Sequence, residues 1–505
     1  MTQTTPHNIS SPTRHLQIGL IMALFVILAI KQVGLSLLTL PFGNHDEVAH
    51  FSYTQYIVEQ KKLPVFQGSV ISAYQVSPSI EAWEGIKYLY NRRADRISYH
   101  SFRESIANLK NESKLLRGLG RLPITDPAQV SPPDNSPYAI PPSGEYKNNA
   151  AIYPPVYYLL ESIPYLLFYD SGIFARLYAM RIFSAIFFLL TVFVCYKIAR
   201  RIKDNFWLAF TVAAVIGFQP IFSSVASGVN NDALLTLCAS LAIFFCLKLF
   251  SSIRLRDVVF LGLTLGLGLL SKPQFIVFLP LVLIPFAYQY FKLLTPIKIL
   301  IRHLLSIAGV IILVSSWWFI WNIIQYGSLI GPPSQPAINQ SMLHLPFGHY
   351  AYLIFIKYTY SFVTFFFNLT FSNASGLPIW IIIPGTLTIV SGLLLFFYQL
   401  VRQYKKGNCQ FYWLYGFLVL PVILLEALYL YLFLHNLLGY GVYSFPVEGR
   451  YYFPVISVVM LCWMLGWWQI MPKRWQRWLA ALLFSGMILT QSLFITNLLI
   501  PRFFL

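Results

Sequence analysis

The chain has 505 residues, of which 57% are hydrophobic, 17% aromatic and only 11% charged, and 36 Lys and Arg against 18 Asp and Glu give a formal net charge of +18. Soluble domains carry about 25% charged residues, so a soluble globular class is excluded, and apolar runs without ten-residue alternation exclude a barrel. The basic residues fall in short clusters between apolar runs, where they orient a chain in a bilayer, so the charge is no sign of nucleic-acid binding.

An all-α polytopic membrane protein is therefore expected, because helices satisfy their own backbone groups within lipid. From Ile18 to Phe42 the chain is almost wholly apolar, about the 20 residues needed to cross a bilayer. This run is too long for the apolar core of a signal peptide and no small-residue cleavage site follows, so residues 1–40 are expected to keep it as the first helix. Residues 41–150 form a long first external loop, the one sizeable region outside the bilayer. Within it Val48, Phe51, Tyr56 and Ile57 recur at roughly helical spacing, which predicts a helix over 46–60 lying on the membrane surface. Ser131 to Pro137, followed by Pro141-Pro142, predicts irregular chain.

Residues 151–505 hold the rest of a single membrane domain. Crossings are predicted at 177–199, 206–226, 233–250, 258–270, 275–291, 304–324, 378–400, 411–434, 452–470 and 478–498, about eleven with the first at 18–40. Two further apolar stretches, 153–169 and 351–371, would bring the bundle to 13, but as single crossings they break the alternation of loop charge. Both are expected to enter from the outer side and return, or to lie along the interface, as Pro154, Pro155, Pro164, Glu161 and Lys357 suit a lipid-facing span poorly. Basic clusters at 200–203, 254–256, 292–302, 402–406 and 473–477 mark the cytoplasmic side. The N-terminus is then cytoplasmic, and the loops at 41–150, 228–232, 326–350 and 435–448 face outward. Cys195, Cys238, Cys246, Cys409 and Cys462 lack metal-site spacing and read as buried thiols.

Several charges sit at or within the outer boundary, where each needs a cavity, a partner or a role. Asp46 and Glu47 follow the first helix directly, between His45 and His50. A carboxylate there can take the proton of an attacking hydroxyl, and with His45 or His50 the pair offers ligands for a divalent metal (Mg or Mn). Lys272 ends a segment too short to cross, which places a cation at a sunken hairpin tip where it can hold a phosphate. Arg450 opens a helix on the same side, and guanidinium forks match phosphate oxygens. Arg176 and Arg181 occupy a comparable position, as interface anchors or as ligands. Asn231-Asp232 reads as a helix cap. Lys31 and Glu426 are further buried charges with no partner visible in the sequence.

Together these residues resemble the GT-C superfamily of polytopic glycosyltransferases, which take sugars from polyprenyl-phosphate carriers, and the likeness extends along nearly the whole chain. Asp46-Glu47 is similar to the acidic motif of that superfamily's first external loop. Ile152-Tyr153-Pro154-Pro155-Val156-Tyr157-Tyr158 is similar to the segment closing that loop in protein O-mannosyltransferase-like and aminoarabinose-transferase-like members. Asn230 to Ala233, Gly266 to Lys272, Trp317 to Asn322 with Tyr326-Gly327, and Gly449-Arg450-Tyr451 are similar to further segments of bacterial members. One departure is Trp321, at a position where many members carry Arg. The resemblance implies a GT-C-like bundle, Asp46 as catalytic base with Glu47 supporting it or binding metal, and Lys272 and Arg450 in contact with the lipid phosphate; Arg181 and Tyr153 are further candidates around that phosphate, and Asp46, Glu47 and His50 the candidate metal ligands.

The function expected is transfer of a sugar from a polyprenyl-phosphate donor to a glycan, lipid or protein acceptor. It would take place on the outer face of a bacterial inner membrane, with inversion at the anomeric carbon. Two rivals remain. One is a polysaccharide polymerase or ligase using a lipid-diphosphate oligosaccharide. The other is a lipid-sugar transporter or flippase with Lys31, Lys272 and Glu426 along its path, against which stands the lack of an inverted repeat.

Overall fold

The computed structural model describes residues 13–65, 149–171, 173–332, 346–367, 377–441 and 448–500, and among these all regular structure is helical. The helices are α1 (Arg14–Leu38), α2 (Glu47–Gln60), α3 (Val156–Leu167), α4 (Ile173–Ile202), α5 (Phe206–Gly217), α6 (Pro220–Val225), α7 (Asp232–Leu249), α8 (Leu255–Leu269), α9 (Leu283–Phe291), α10 (Ile297–Tyr326), α11 (Phe347–Phe367), α12 (Ile379–Lys405), α13 (Cys409–Tyr440), α14 (Ile456–Ile470) and α15 (Lys473–Phe494). Tight 3₁₀ turns at Pro273–Val282 and Gly449–Val455 lead into α9 and α14. Pro273 and Pro280 lie in the first and Pro454 in the second, and their missing N–H groups suit such segments.

Among the described residues nine helical segments are long and apolar enough to cross a membrane. They correspond to nine of the eleven expected crossings. The expected span at 206–226 is divided into α5 and α6 at Gln219-Pro220, and 258–270 lies in α8, whose 15 residues rise only about 22 Å. Near 153–169 the helix is α3, with 12 residues and about 18 Å of rise, too short to cross. Near 351–371, α11 runs unbroken for 21 residues to Phe367, which corrects the first of the two arrangements expected there, entry and return, and not the second, a helix along the interface; residues 368–371 lie outside the described residues. Residues 66–148, with the proline-rich 131–137, lie outside the described residues.

Burial separates a core from a lipid-facing shell. α7 and the segment 449–470 are enclosed over most of their surface, whereas α1, α10, α12 and α15 turn most of theirs outward. Gly262 and Gly266, four residues apart on α8, let α10 approach closely. A Cβ at either would stand 2.8 Å from the Cβ of Val310 or Val314. Small residues at this spacing are the usual way for helices to pack where lipid removes the hydrophobic drive.

Helix alternation sends the chain's polar groups to two opposite ends. At one end the basic clusters close the turns after α4, α7, α9, α12 and α14, where Lys248 pairs with Asp257 and Arg201 donates to Ser251. At the other end lie the turn after α1, the start of α4, the start of α7, residues 271–272 and residues 448–451. The helix expected over 46–60 is present as α2, but it is not an amphipathic surface helix. Phe51 to Gln55 are buried in succession beneath α3, and Ser52 and Thr54 satisfy their hydroxyls on the helix's own carbonyls. Four of the cysteines are buried thiols as expected, while Cys409, the first residue of α13, is exposed.

Candidate active site at one end of the bundle

The turn joining α1 to α2 is forced into an uncommon shape. Asp46 adopts φ 53° and ψ 16°, the left-handed region that non-glycine residues seldom occupy. Residues 224–230 hold it there. Asn44 donates to the Ser224 carbonyl at 2.7 Å and accepts from the His45 N–H at 2.8 Å, while Asn230 donates to the His45 carbonyl at 3.1 Å. Gly228 is required for this seating, because a Cβ there would come within 2.4 Å of the Asn44 amide nitrogen. Such backbone strain persists only where its surroundings over-determine it, and it collects at functional sites.

Glu47 points the opposite way, into the protein. Arg181 Nε and Nη2 donate to its two carboxylate oxygens at 2.7 and 2.6 Å, and the Val229 N–H adds a bond of 3.0 Å. The remaining Arg181 donors reach the carbonyls of Ser36, Thr39 and Leu40, each at 2.7 Å. All five N–H donors of the guanidinium are thus engaged.

Asp46 faces outward, with its side chain 60% exposed, and Arg450 Nη2 stands 2.9 Å from its Oδ2. Arg450 is nearly buried, with its Nε 2.6 Å from Glu448 Oε2 and its guanidinium over the Tyr451 ring. Behind it Lys272 Nζ contacts Asp232 Oδ1 at 2.5 Å, between the rings of Tyr153 and Tyr451 at 5.1 and 5.6 Å. Asn231 ties the two segments together by donating to the Ser271 carbonyl at 3.2 Å. Carboxylates and cations therefore alternate across one patch.

Partial burial pulls the Asp46 carboxyl upward, but the positive charge of Arg450, with smaller help from His50, prevails and holds it below the usual carboxylate range. Asp46 is ionised at neutral pH. His50 is enclosed, its Nδ1 2.8 Å from the Tyr158 hydroxyl, and burial pushes it down to about 4 against the opposing pull of Asp46. The imidazole is neutral at physiological pH.

The family described as Predicted membrane protein (DUF2142) matches residues 32–459, which contain every residue of this patch. The chain belongs to the DUF2142 family. No curated protein matches it in sequence. Among solved structures the DUF2142 chain is similar to the apo form of the Archaeoglobus fulgidus oligosaccharyltransferase, at 13% identity and a TM-score of 0.47, over 95% of this chain and 56% of that one. It is similar to the archaeal oligosaccharyltransferase AglB of the same organism in complex with an inhibitory peptide and a dolichol-phosphate, at 13% identity and a TM-score of 0.46, over 94% and 55%. It is also similar to ArnT from Cupriavidus metallidurans bound to undecaprenyl phosphate, at 17% identity and a TM-score of 0.37, over 65% and 52%. The chain spans about half the length of these proteins.

In this DUF2142 chain Asp46, Arg450, Lys272 and Tyr153 come together at one place, although they are spread over more than 400 positions of sequence. Two expectations are corrected. Arg181 has no donor left for a phosphate, and Glu47 has both oxygens bound by that arginine, so both hold the turn in shape, and of the two roles expected for Glu47 the geometry suits support of Asp46 and not metal binding. The set proposed for a metal does not fit either. Glu47 has both oxygens on Arg181, and among the described residues no group of three or more His, Cys, Asp or Glu converges. Arg176 is an anchor, 3.5 Å from Glu59 and bonded to Tyr165.

Asn231 and Asp232 open α7 as expected of a helix cap, but the partner of the Asp232 carboxylate was missed. The Asp232 N–H is capped by Asn230 Oδ1 at 2.9 Å, and its own carboxylate goes to Lys272. The available signal was a buried-side lysine without a partner in a protein that also carries a carboxylate at a neighbouring helix mouth.

Proposed function

We propose that this protein is a glycosyltransferase of GT-C type that moves a sugar from a polyprenyl-phosphate donor to a glycan, lipid or protein acceptor. The observation that carries this reading is the contact between Asp46 and Arg450: an exposed, ionised carboxylate 2.9 Å from a guanidinium that shares the Tyr451 ring with the Lys272 ammonium. An acceptor hydroxyl attacks the anomeric carbon while Asp46 takes its proton. The bond from that carbon to the phosphate oxygen breaks, and its electron pair leaves with the phosphate. Arg450 and Lys272 stabilise the charge that collects there. A single displacement inverts the anomeric carbon.

The end that carries the site is opposite the basic clusters, which supports an outward-facing site in a bacterial inner membrane with a cytoplasmic N-terminus. The transport alternative loses support from the structure of its charges. Lys31, Lys272 and Glu426 each have a separate partner, in Ser223, Asp232 and Lys357. The test is transfer of radiolabelled sugar from a panel of polyprenyl-phosphate sugars in membranes holding wild type or Asp46→Asn. Incorporation by wild type alone is the expected result. Equal incorporation by both removes Asp46 from the mechanism, and lipid movement without product favours transport.

A further inference from the structure

Lys272 is offered to the donor phosphate by the reading above, yet at rest it is already taken. Lys272 is 4% exposed, and its ammonium lies 2.5 Å from Asp232 Oδ1, between two tyrosine rings. A cation so placed cannot also meet a phosphate oxygen at full strength unless it changes partner. The surroundings allow that change. Asp232 is the first residue of α7, where the positive end of the helix favours a carboxylate, and it also lies in the field of Arg450. Its charge is therefore compensated when Lys272 leaves. Lys272 has a flexible four-carbon stem and three donors with no fixed plane, which suits exchange better than a guanidinium would. Arg450, by contrast, is held between Asp46 and Glu448 and stays in place.

We infer that Asp232 is the resting counter-ion of Lys272, and that the phosphate of the lipid donor displaces it, so that Lys272 changes partner in every turnover. The inference rests on the proposed use of a lipid phosphate. Asp232 does not touch the reacting atoms; it is a positioning residue that keeps the cation compensated when the seat is empty and helps expel the lipid phosphate after transfer. Removing its charge leaves Lys272 buried and unpaired, a state that an incoming phosphate relieves.

The experiment is binding of undecaprenyl phosphate to the detergent-purified full-length protein, with wild type, Asp232→Asn, Lys272→Gln and the double variant. Asp232→Asn is expected to bind about ten-fold tighter than wild type, because a competing charge-assisted contact is gone. Lys272→Gln is expected to bind about ten-fold weaker, and the double variant should keep none of the gain. In sugar transfer, Asp232→Asn should lower KM and kcat together as product release slows. Unchanged or weaker binding by a folded Asp232→Asn overturns the exchange. Should that variant fail to fold, Lys272→Gln binding as wild type overturns it equally. Absence of binding to wild type instead removes the lipid-phosphate reading, and the exchange with it.

Discussion

Arg181 grips both carboxylate oxygens of Glu47, at 2.7 and 2.6 Å, while its other three donors bind the carbonyls that end α1. One side chain thus ties the end of the first helix to the start of the second, and the strained Asp46 stands between them. Asp46 and Glu47 are neighbours in sequence, but a left-handed residue between two helices turns their side chains to opposite surroundings.

Loss of this clamp should act on folding before chemistry. Glu47→Gln or Arg181→Lys is expected to lower stability by about 3–5 kcal/mol, because a buried partner is left uncompensated and Lys cannot supply five planar donors. Thermal unfolding in detergent measures it. A Glu47→Gln protein as stable as wild type but inactive would return Glu47 to the reacting surface.

Asp46→Asn should behave in the reverse manner. Its side chain is 60% exposed, so the fold and the unfolding temperature are expected to stay close to wild type. Sugar transfer should fall by about 10²-fold or more, the contribution usual for a general base.

The acid limb of the pH–rate profile should answer to Arg450. Because Arg450 helps hold the Asp46 carboxyl down, the base stays ionised and transfer persists below the usual carboxylate range. In Arg450→Gln that support is gone and the pKa rises, so the acid limb should move to higher pH, over and above any drop in rate. A limb that stays in place in Arg450→Gln would mean that another group carries it.

His50 should govern acid stability. Its folded pKa of about 4 lies below the ordinary histidine value, so between about 6.5 and 4 the unfolded chain binds a proton that the native site refuses. Stability is therefore complete above that window and is lost as pH falls through it. His50→Gln should flatten the loss, as read from unfolding temperatures between pH 7 and 4.5. An equally steep loss in the variant would place the titrating group elsewhere.

Much of this protein is legible in its sequence, because hydropathy, helix length and loop charge are local quantities. Runs of about 20 apolar residues between basic clusters located nine segments that are long enough to cross among the described residues, and the acidic pair after the first helix marked the end that carries the candidate site. Tertiary structure alone decided which charges meet. Asp46 finds Arg450, Lys272 finds Asp232, Lys31 finds Ser223 and the Gly217 carbonyl, and Glu426 finds Lys357. Those partners lie from 40 to 404 positions apart, on helices whose neighbours no local pattern specifies. A buried charge must be paired, but only the packing of the bundle chooses its partner, and that choice turned Glu47 and Arg181 from presumed ligands into the frame that holds Asp46.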